Sequence, residues 1–167
     1  MDAGSHMRTG HPIVVSLVIF FSIIELSISA WLTSRFTAQH NYFSLAERDR
    51  TRFLLFTSTW TIVLCSLHMF IFMYLPGSVL GSMAAHIFFL FLTWAFWTAG
   101  ATSITAALSG ELNRNTQSVF AYPVQLNALE GFAWVNEALV TFALILVIIR
   151  GIHAARRGDG MRGPLIA

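Results

Sequence analysis

The 167-residue chain has little charge, a single cysteine and no lysine. Charged residues make up 11% of it, against roughly 25% in soluble domains, while hydrophobic residues make up 56%. A globular protein of this size has too little interior to hide that much apolar surface, which argues against a soluble enzyme or a disordered tail. The lone Cys65 excludes an intramolecular disulfide and a Cys-x-x-Cys site. The net charge of +2, dispersed among apolar segments, argues against a nucleic-acid partner.

Charge is missing altogether from the longest apolar run. No Asp, Glu, Lys or Arg occurs from Phe53 to Gly110, a run of 58 residues. About 20 residues in a helix cross the hydrocarbon core of a membrane, so this run is long enough for two spans. Pro76-Gly77-Ser78 is a strong turn signal within it. We therefore predict a helical hairpin, with helices near 45–75 and 79–108.

Two further apolar segments, near 13–33 and 127–150, flank this hairpin. In a membrane each span must satisfy its own backbone hydrogen bonds, which predicts an α-helix for every one. The predicted fold class is all-α, an integral membrane antiparallel four-helix bundle formed by residues 11–150. Residues 1–10 are then an N-terminal tail and residues 151–167 a basic C-terminal tail on the same side of the membrane.

The first residues of the chain carry a separate signal. Gly4-Ser5-His6-Met7 matches a common expression-vector remnant. Residues 1–6 are therefore expected to be foreign, with the native chain beginning at Met7.

Arginines gather at both ends of the predicted bundle. Arg48 and Arg52 lie one turn apart on a helix that Ser44-Leu45-Ala46-Glu47 begins as a capping box. Five arginines fall on each side of the membrane, so the positive-inside rule does not decide the orientation. The arginines nearest the helix ends are expected to contact lipid headgroups. They are Arg48, Arg52, Arg150, Arg156 and Arg157.

Polar side chains recur at helical spacing in all four spans, which puts them on one face of each helix. The simplest interpretation is helix–helix contact, because membrane helices meet through small and weakly polar residues. It predicts that all four polar stripes face inward and that Phe, Leu and Ile face the lipid. The stripes are Ser22, Glu25, Ser29 and Thr33; Thr57, Thr61, Cys65 and His68; His86, Thr93, Trp97 and Gly100; and Asn127, Glu130, Trp134, Glu137 and Thr141.

Glu25 and Glu137 lie near the middle of the first and fourth spans, which predicts similar depths in antiparallel helices. An ionisable group there costs several kcal/mol unless it is paired, hydrated or protonated. The two carboxyls could share a proton as the coupling site of a carrier, or serve as acid and base of a membrane-embedded reaction. The alternative is that each is protonated or hydrogen-bonded to a neighbour and locks the bundle. Glu130 and Asn136 are the other polar candidates on the fourth span.

His68 and His86 flank the hairpin turn and are expected at comparable depth. A metal site would need further ligands at that level, and no nearby Cys, Asp or Glu supplies them, so packed and hydrogen-bonded histidines are favoured. Cys65, one turn before His68, is more typical of a small apolar filler than of a nucleophile.

Motifs of enzymes are missing from the sequence. It has no P-loop, no dinucleotide-binding glycine fingerprint, no GxSxG and no HExxH, so no catalytic residue, cofactor or metal is predicted. The charged cluster at 47–52 leaves a membrane-embedded lipid or glutathione-type enzyme as the least favoured alternative. That cluster fits the start of a membrane-flanking helix better.

Several segments in order resemble one family. His11-Pro12-Ile13 and 24–32 are similar to the first helix of fungal four-span proteins of the MARVEL-domain type, and 50–61 to the entry of the second helix. Residues 85–86 and 94–100 resemble the third helix, and 127–134 the fourth. Many such proteins carry cysteines in the loop before the fourth helix. This chain has none there, so the resemblance implies no disulfide or acylation at that loop.

The resemblance implies a left-handed four-helix bundle with cytoplasmic termini, in the plasma membrane or an endomembrane. It implies a non-enzymatic part in membrane apposition, lateral domain organisation or vesicle trafficking. The partners it implies are membrane lipids and lateral neighbours, either further copies of the chain or other membrane proteins. The alternative from the residues themselves is a small proton-coupled carrier that uses the intramembrane carboxyl pair.

Overall fold

A computed structural model describes residues 3–74, 83–108 and 120–156 of the chain. Within these ranges there are four α-helices and no strand. The helices are α1 (Ala3–Gln39), α2 (Leu45–Tyr74), α3 (Met83–Leu108) and α4 (Pro123–Arg156). Each contains a segment long and apolar enough to cross a membrane, which confirms the predicted all-α membrane bundle. These segments are Ile13–Gln39, Leu45–Ile71, Ala84–Leu108 and Pro123–Ile152.

The helices pack in a ring, in which α1 contacts α2 and α4, and α3 contacts α2 and α4. Neighbouring helices are antiparallel, as the pairs Ser22–Asn136 and Trp31–Tyr122 show for α1 and α4. All four helices contribute apolar side chains to one interior. Its fully buried members include Leu32, Leu54, Trp97, Ala101, Leu129 and Val140.

The first and last helices are longer than predicted. α1 continues past residue 33 to Gln39, and α4 begins at Pro123 rather than near 127 and ends at Arg156. Proline suits a first helical turn because the N–H it lacks would have no partner there. α1 ends where His40 adopts a φ of 52° and donates its N–H to the Phe36 carbonyl over 3.1 Å. A residue in this left-handed conformation commonly closes a helix.

The predicted capping box begins α2. The Glu47 N–H donates to the Ser44 hydroxyl over 3.1 Å, and the Glu47 carboxylate accepts the Phe43 N–H over 2.8 Å. The carboxylate thus reaches one residue farther back than in the usual motif. Glu47 is only 2% exposed, so these two hydrogen bonds hold the connection between α1 and α2 from its buried side.

Four predictions fall on parts of the chain outside the described residues. They are the turn at Pro76-Gly77-Ser78, the start of the third helix at 79, the headgroup contact of Arg157, and the basic C-terminal tail from residue 157 onward. The side chain of Arg156 is likewise not described, although its backbone ends α4.

Candidate functional site

Three of the four predicted polar stripes face the interior. The α1 stripe is buried at its first three positions, the α2 stripe at its first two, and the α3 stripe at all four. The buried members are Ser22, Glu25 and Ser29 of α1; Thr57 and Thr61 of α2; and His86, Thr93, Trp97 and Gly100 of α3. Thr33, Cys65 and His68 are half-buried.

Hydrogen bonds between described side chains join helices across this interior. The Ser22 hydroxyl donates to the Asn136 side-chain oxygen over 3.1 Å, which connects α1 to α4. The Trp97 indole N–H donates to the Thr61 hydroxyl over 2.9 Å, which connects α3 to α2. In a membrane such bonds contribute about 0.5 to 2 kcal/mol each, so they help to fix which helix faces meet.

Glu25 carries the one carboxyl group among these buried stripe residues. Its side chain is 0% exposed, yet neither carboxyl oxygen has a hydrogen-bond partner among the described residues. The neighbouring Ser29 hydroxyl donates instead to the Glu25 backbone carbonyl over 2.8 Å. The Thr33 and Thr57 hydroxyl oxygens also lack partners among the described residues.

The predicted pair of Glu25 and Glu137 does not form a hydrogen bond. Glu137 is half-buried and accepts a hydrogen bond from Thr141, one turn later on its own helix, over 2.9 Å. Asn136 takes the inward position instead and is fully buried. Adjacent residues on an α-helix point about 100° apart, so Glu137 is turned away from the interior that Asn136 faces.

The prediction that the α4 polar stripe faces inward is wrong. Asn127 and Trp134 are exposed, and Glu130, Glu137 and Thr141 are only half-buried. Lipid is as apolar as a leucine-rich interior, so hydrophobicity does not decide which face of a membrane helix turns inward. The face that does turn inward recurs at steps of three and four residues and is almost wholly apolar. It includes Leu126, Leu129, Ala133, Asn136, Val140, Ala143 and Val147.

The displaced stripe forms a polar surface between α3 and α4, here called the outer seam and defined by Thr105, Glu130, Trp134, Glu137 and Thr141. The Thr105 hydroxyl donates to a Glu130 carboxyl oxygen over 2.7 Å and accepts the Trp134 indole N–H over 2.9 Å. Helical spacing in the sequence places Glu130 and Trp134 on one face of the fourth helix, and they form the α4 side of this cluster. Thr105 was missed, although Thr98 and Thr105 repeat the seven-residue spacing of Glu130 and Glu137.

The arginines at the α1–α2 connection contact neighbouring side chains. Arg48 pairs with Asp49 at 2.9 Å and lies over the Tyr42 ring at 5.2 Å. Arg52 donates to the Thr37 hydroxyl over 3.4 Å and is exposed. At the other end of the bundle, Arg150 is half-buried. Headgroup contact by these arginines stays a prediction.

The two histidines meet across α2 and α3. Their ring centroids are 5.0 Å apart in an edge-to-face arrangement, and His68 Nδ1 lies 3.0 Å from the Leu64 carbonyl oxygen. Cys65 is half-buried and packs against the apolar interior. In the part of the chain that the structure describes, no three His, Cys, Asp or Glu side chains gather as metal ligands would.

No protein-family model, curated protein or solved structure matches the chain. The resemblance to MARVEL-type proteins therefore has no support from these comparisons. The four apolar helices fit a four-span integral membrane protein, and that coarser description stands.

Proposed function

We propose that the chain is a non-enzymatic membrane protein that organises membrane domains, or assists trafficking, through lipid contacts and lateral helix contacts. It acts in the plasma membrane or an endomembrane with cytoplasmic termini, as the MARVEL-type proteins it resembles do. The proposal gives no role to a catalytic residue, a cofactor, a metal or a nucleic acid. Its partners are membrane lipids and, laterally, further copies of the chain or other membrane proteins.

The observation that carries the proposal is the outer seam. Ionisable and polar groups inside membrane spans usually face a bundle interior or a water-filled cavity, because hydrocarbon offers them no partner. Here Glu130 is half-buried beside Trp134, which is 41% exposed, and both are joined to Thr105. The α3–α4 surface therefore presents hydrogen-bonding groups sideways, to whatever lies beside the bundle in the membrane.

Small exposed residues beside the seam favour close approach by another helix. Gly131 and Ala138 are exposed one heptad apart on α4, and Ala99 and Ala106 are exposed one heptad apart on α3. An added Cβ on Gly131 would meet no atom within 4 Å. Small residues let membrane helices approach until side chains can hydrogen-bond between them. The seam carries both hydrogen-bond donors and acceptors, so it is complementary to a second copy of itself.

The experiment measures lateral association of the full chain in phosphatidylcholine vesicles, from the fluorescence brightness of each diffusing particle. Wild-type chains are expected to diffuse as dimers or larger assemblies. Glu130→Leu combined with Trp134→Leu is expected to lower the association constant about threefold to thirtyfold. The reason is that losing hydrogen bonds between membrane helices costs about 0.6 to 2 kcal/mol.

Trp31→Leu is the matched control, since Trp31 is exposed to a similar degree, 38%, but lies on α1. Its variant should associate as the wild type does. A wild-type chain that diffuses as a monomer, or equal association of all three proteins, would contradict the proposal.

A proton-coupled carrier is the second candidate, and the buried, unpartnered Glu25 is the observation that favours it. Proton entry into proteoliposomes, followed with an enclosed pH-sensitive dye, tests this function. A carrier requires proton entry that Glu25→Gln abolishes. Since Glu137 makes its hydrogen bond on its own helix, Glu137→Gln should retain the activity. Proton entry no faster than in protein-free vesicles would eliminate the carrier.

A further inference from the structure

We infer that Glu25 is an internal proton-binding site that water reaches from the membrane surface at the α1–α2 connection. The ligands of this site are water and the proton. The inference goes beyond the proposed membrane-organising function, which rests on the outer seam and makes no use of Glu25.

The first observation is a set of buried oxygens without partners. Both carboxyl oxygens of Glu25 and the hydroxyl oxygens of Thr33 and Thr57 have none among the described residues. Buried polar atoms in folded proteins nearly always bond to protein groups or to ordered water. A buried water typically makes about three hydrogen bonds to groups that would otherwise be unsatisfied. Water is therefore the ligand that fits these oxygens.

Glu25 and Thr57 lie at nearly the same depth on neighbouring helices. Residues 40–44 connect α1 to α2. At 1.5 Å per residue, Glu25 is about 21 Å from the end of α1, and Thr57 is about 18 Å from the start of α2. The two groups therefore differ in depth by about 3 Å, and both are fully buried in a bundle where α1 packs against α2.

A ladder of polar side chains leads from Glu25 to the surface. Ser29, Thr33 and Thr37 follow it at every fourth position of α1. Successive steps rise about 6 Å along the helix. One water that forms two O–H···O hydrogen bonds spans about 5.5 Å, so a single water fits each step. The ladder ends at Thr37, which is exposed and accepts a hydrogen bond from Arg52.

The hydroxyls on this ladder have capacity left for water. Ser29 donates its proton to the Glu25 backbone carbonyl over 2.8 Å. A hydroxyl oxygen also has two lone pairs, so Ser29 still accepts a hydrogen bond from a water beside it. Thr33 lacks a partner among the described residues, so it has both its donor and its acceptors to offer.

Among the described residues, no Asp, Glu, Lys or Arg side chain bonds to the buried carboxyl. α1 packs against α2 and α4, and α2 carries no Asp, Glu, Lys or Arg beyond Arg52. On α4, Glu130 accepts a hydrogen bond from Thr105, and Glu137 accepts one from Thr141. The remaining titratable side chains on the interior part of α2 are Cys65 and His68.

Protonation needs no co-reactant besides water. A hydronium ion next to Glu25, at the inner end of the row of waters that bridge Ser29, Thr33 and Thr37, transfers its proton to one carboxylate oxygen of Glu25. The products are a carboxylic acid and a water molecule, and release of the proton is the reverse step.

The test is hydrogen–deuterium exchange of the Glu25 carboxyl, followed by infrared spectroscopy on the full chain in phosphatidylcholine nanodiscs. The carbonyl band of protonated Glu25 is the one that disappears in Glu25→Gln. We expect this band to shift in D₂O while the amide protons of the helices stay unexchanged. Thr33→Val and Thr57→Val should each slow the shift about tenfold, because each removes one hydrogen bond that holds the water.

Thr59→Val is the matched control, because Thr59 is exposed and its hydroxyl donates to the Leu55 carbonyl over 2.8 Å. It should exchange at the wild-type rate. A Glu25 band that exchanges no faster than the helix amides would overturn the inference, since the carboxyl would then be dry. Equal exchange rates in all three threonine variants would overturn the proposed path.

A second measurement on the wild-type chain covers the case in which Glu25→Gln does not assemble. A membrane-permeant carbodiimide modifies protonated carboxyls, and mass spectrometry locates the modified residue. Labelling of Glu25 is expected to decrease as the pH of the medium rises. Labelling that does not respond to pH would show that protons from water do not reach the site, which also overturns the inference.

Discussion

Trp97 is the largest fully buried side chain of the described bundle, and it is also a hydrogen-bond donor. Its indole N–H donates to Thr61, whose own hydroxyl proton is donated to the Thr57 carbonyl over 2.8 Å. Thr61 thus accepts a hydrogen bond from α3 and donates one within its own helix, α2. One hydroxyl group therefore helps to fix both the orientation of a large ring and the contact of α2 with α3.

Trp97→Phe keeps an aromatic ring at this position and removes its donor. We expect the free energy of unfolding to fall by about 1 to 2 kcal/mol, from the lost bond and the smaller ring. Denaturing-detergent titration of the chain in micelles measures it. A double-mutant cycle with Thr61→Ala should give a coupling near 0.6 kcal/mol, whereas a cycle with Thr59→Ala should give none. Zero coupling in the first cycle would show that the bond contributes nothing.

Residue patterns predicted the inner face of three helices and failed for the fourth, for one physical reason. In α1 to α3 the polar residues point inward, so their spacing located the interior. In α4 a single polar residue, Asn136, points inward, and the stripe one residue later carries both glutamates. Because lipid and protein interior are equally apolar, hydrophobicity does not decide which of the two α4 faces turns inward. The contacts that the neighbouring helices offer decide it. Partners such as Ser22 and Thr105 come from distant parts of the chain.

At the scale of helices, two glycines have opposite surroundings. Gly100 is buried where α3 meets α2, and a Cβ added there would lie 2.7 Å from Leu54 Cδ2. Gly131 is exposed on α4, and a Cβ added there would meet nothing within 4 Å. Within the bundle, Gly100 permits a close helix–helix contact, whereas Gly131 makes no such contact and weakens its own helix.

Alanine at each glycine should therefore have opposite effects. Gly100→Ala is expected to destabilise the chain by about 1 to 3 kcal/mol, because Leu54 must shift in a packed interior. Gly131→Ala is expected to stabilise it by about 0.5 to 1 kcal/mol through helix propensity. The same detergent titration compares them. Similar effects of the two substitutions would contradict the packing of α3 on α2 described above.

The helix boundaries could be predicted only where the sequence carries a local signal. Ser44 and Glu47 marked the start of α2 correctly, because capping uses residues adjacent in sequence. The end of α1 at Gln39 was not foreseen, since His40 closes it in a conformation more typical of glycine or asparagine. The fourth helix was predicted to begin near residue 127, whereas Pro123 is the first residue of α4.

At the scale of the whole molecule, four spans place the α1–α2 connection and the C-terminal tail on opposite sides of the membrane. The count of arginines does not say which side is cytoplasmic, and the proposed function assigns that side to the tail. Phe43 is suited to a test because it lies in the connection and is 47% exposed.

The experiment uses a Cys65→Ser background with one new cysteine in each protein. Phe43→Cys is expected to react with a membrane-impermeant maleimide in intact cells. A cysteine at Gly158, in the tail, should react only after the cells are permeabilised. The reverse pattern would overturn the proposed orientation, and reaction of both in intact cells would overturn the four-span topology.

The closed connection between α1 and α2 has a consequence for how the protein is made. The hydrogen bonds that close it come from residues between Phe36 and Glu47, a stretch complete before α3 is synthesised. The hydrogen bonds of the α1–α2 connection can therefore form before α3 and α4 are synthesised. Tyr122, which donates to Gln39 over 2.7 Å and accepts from Asn41, then joins α4 to that connection.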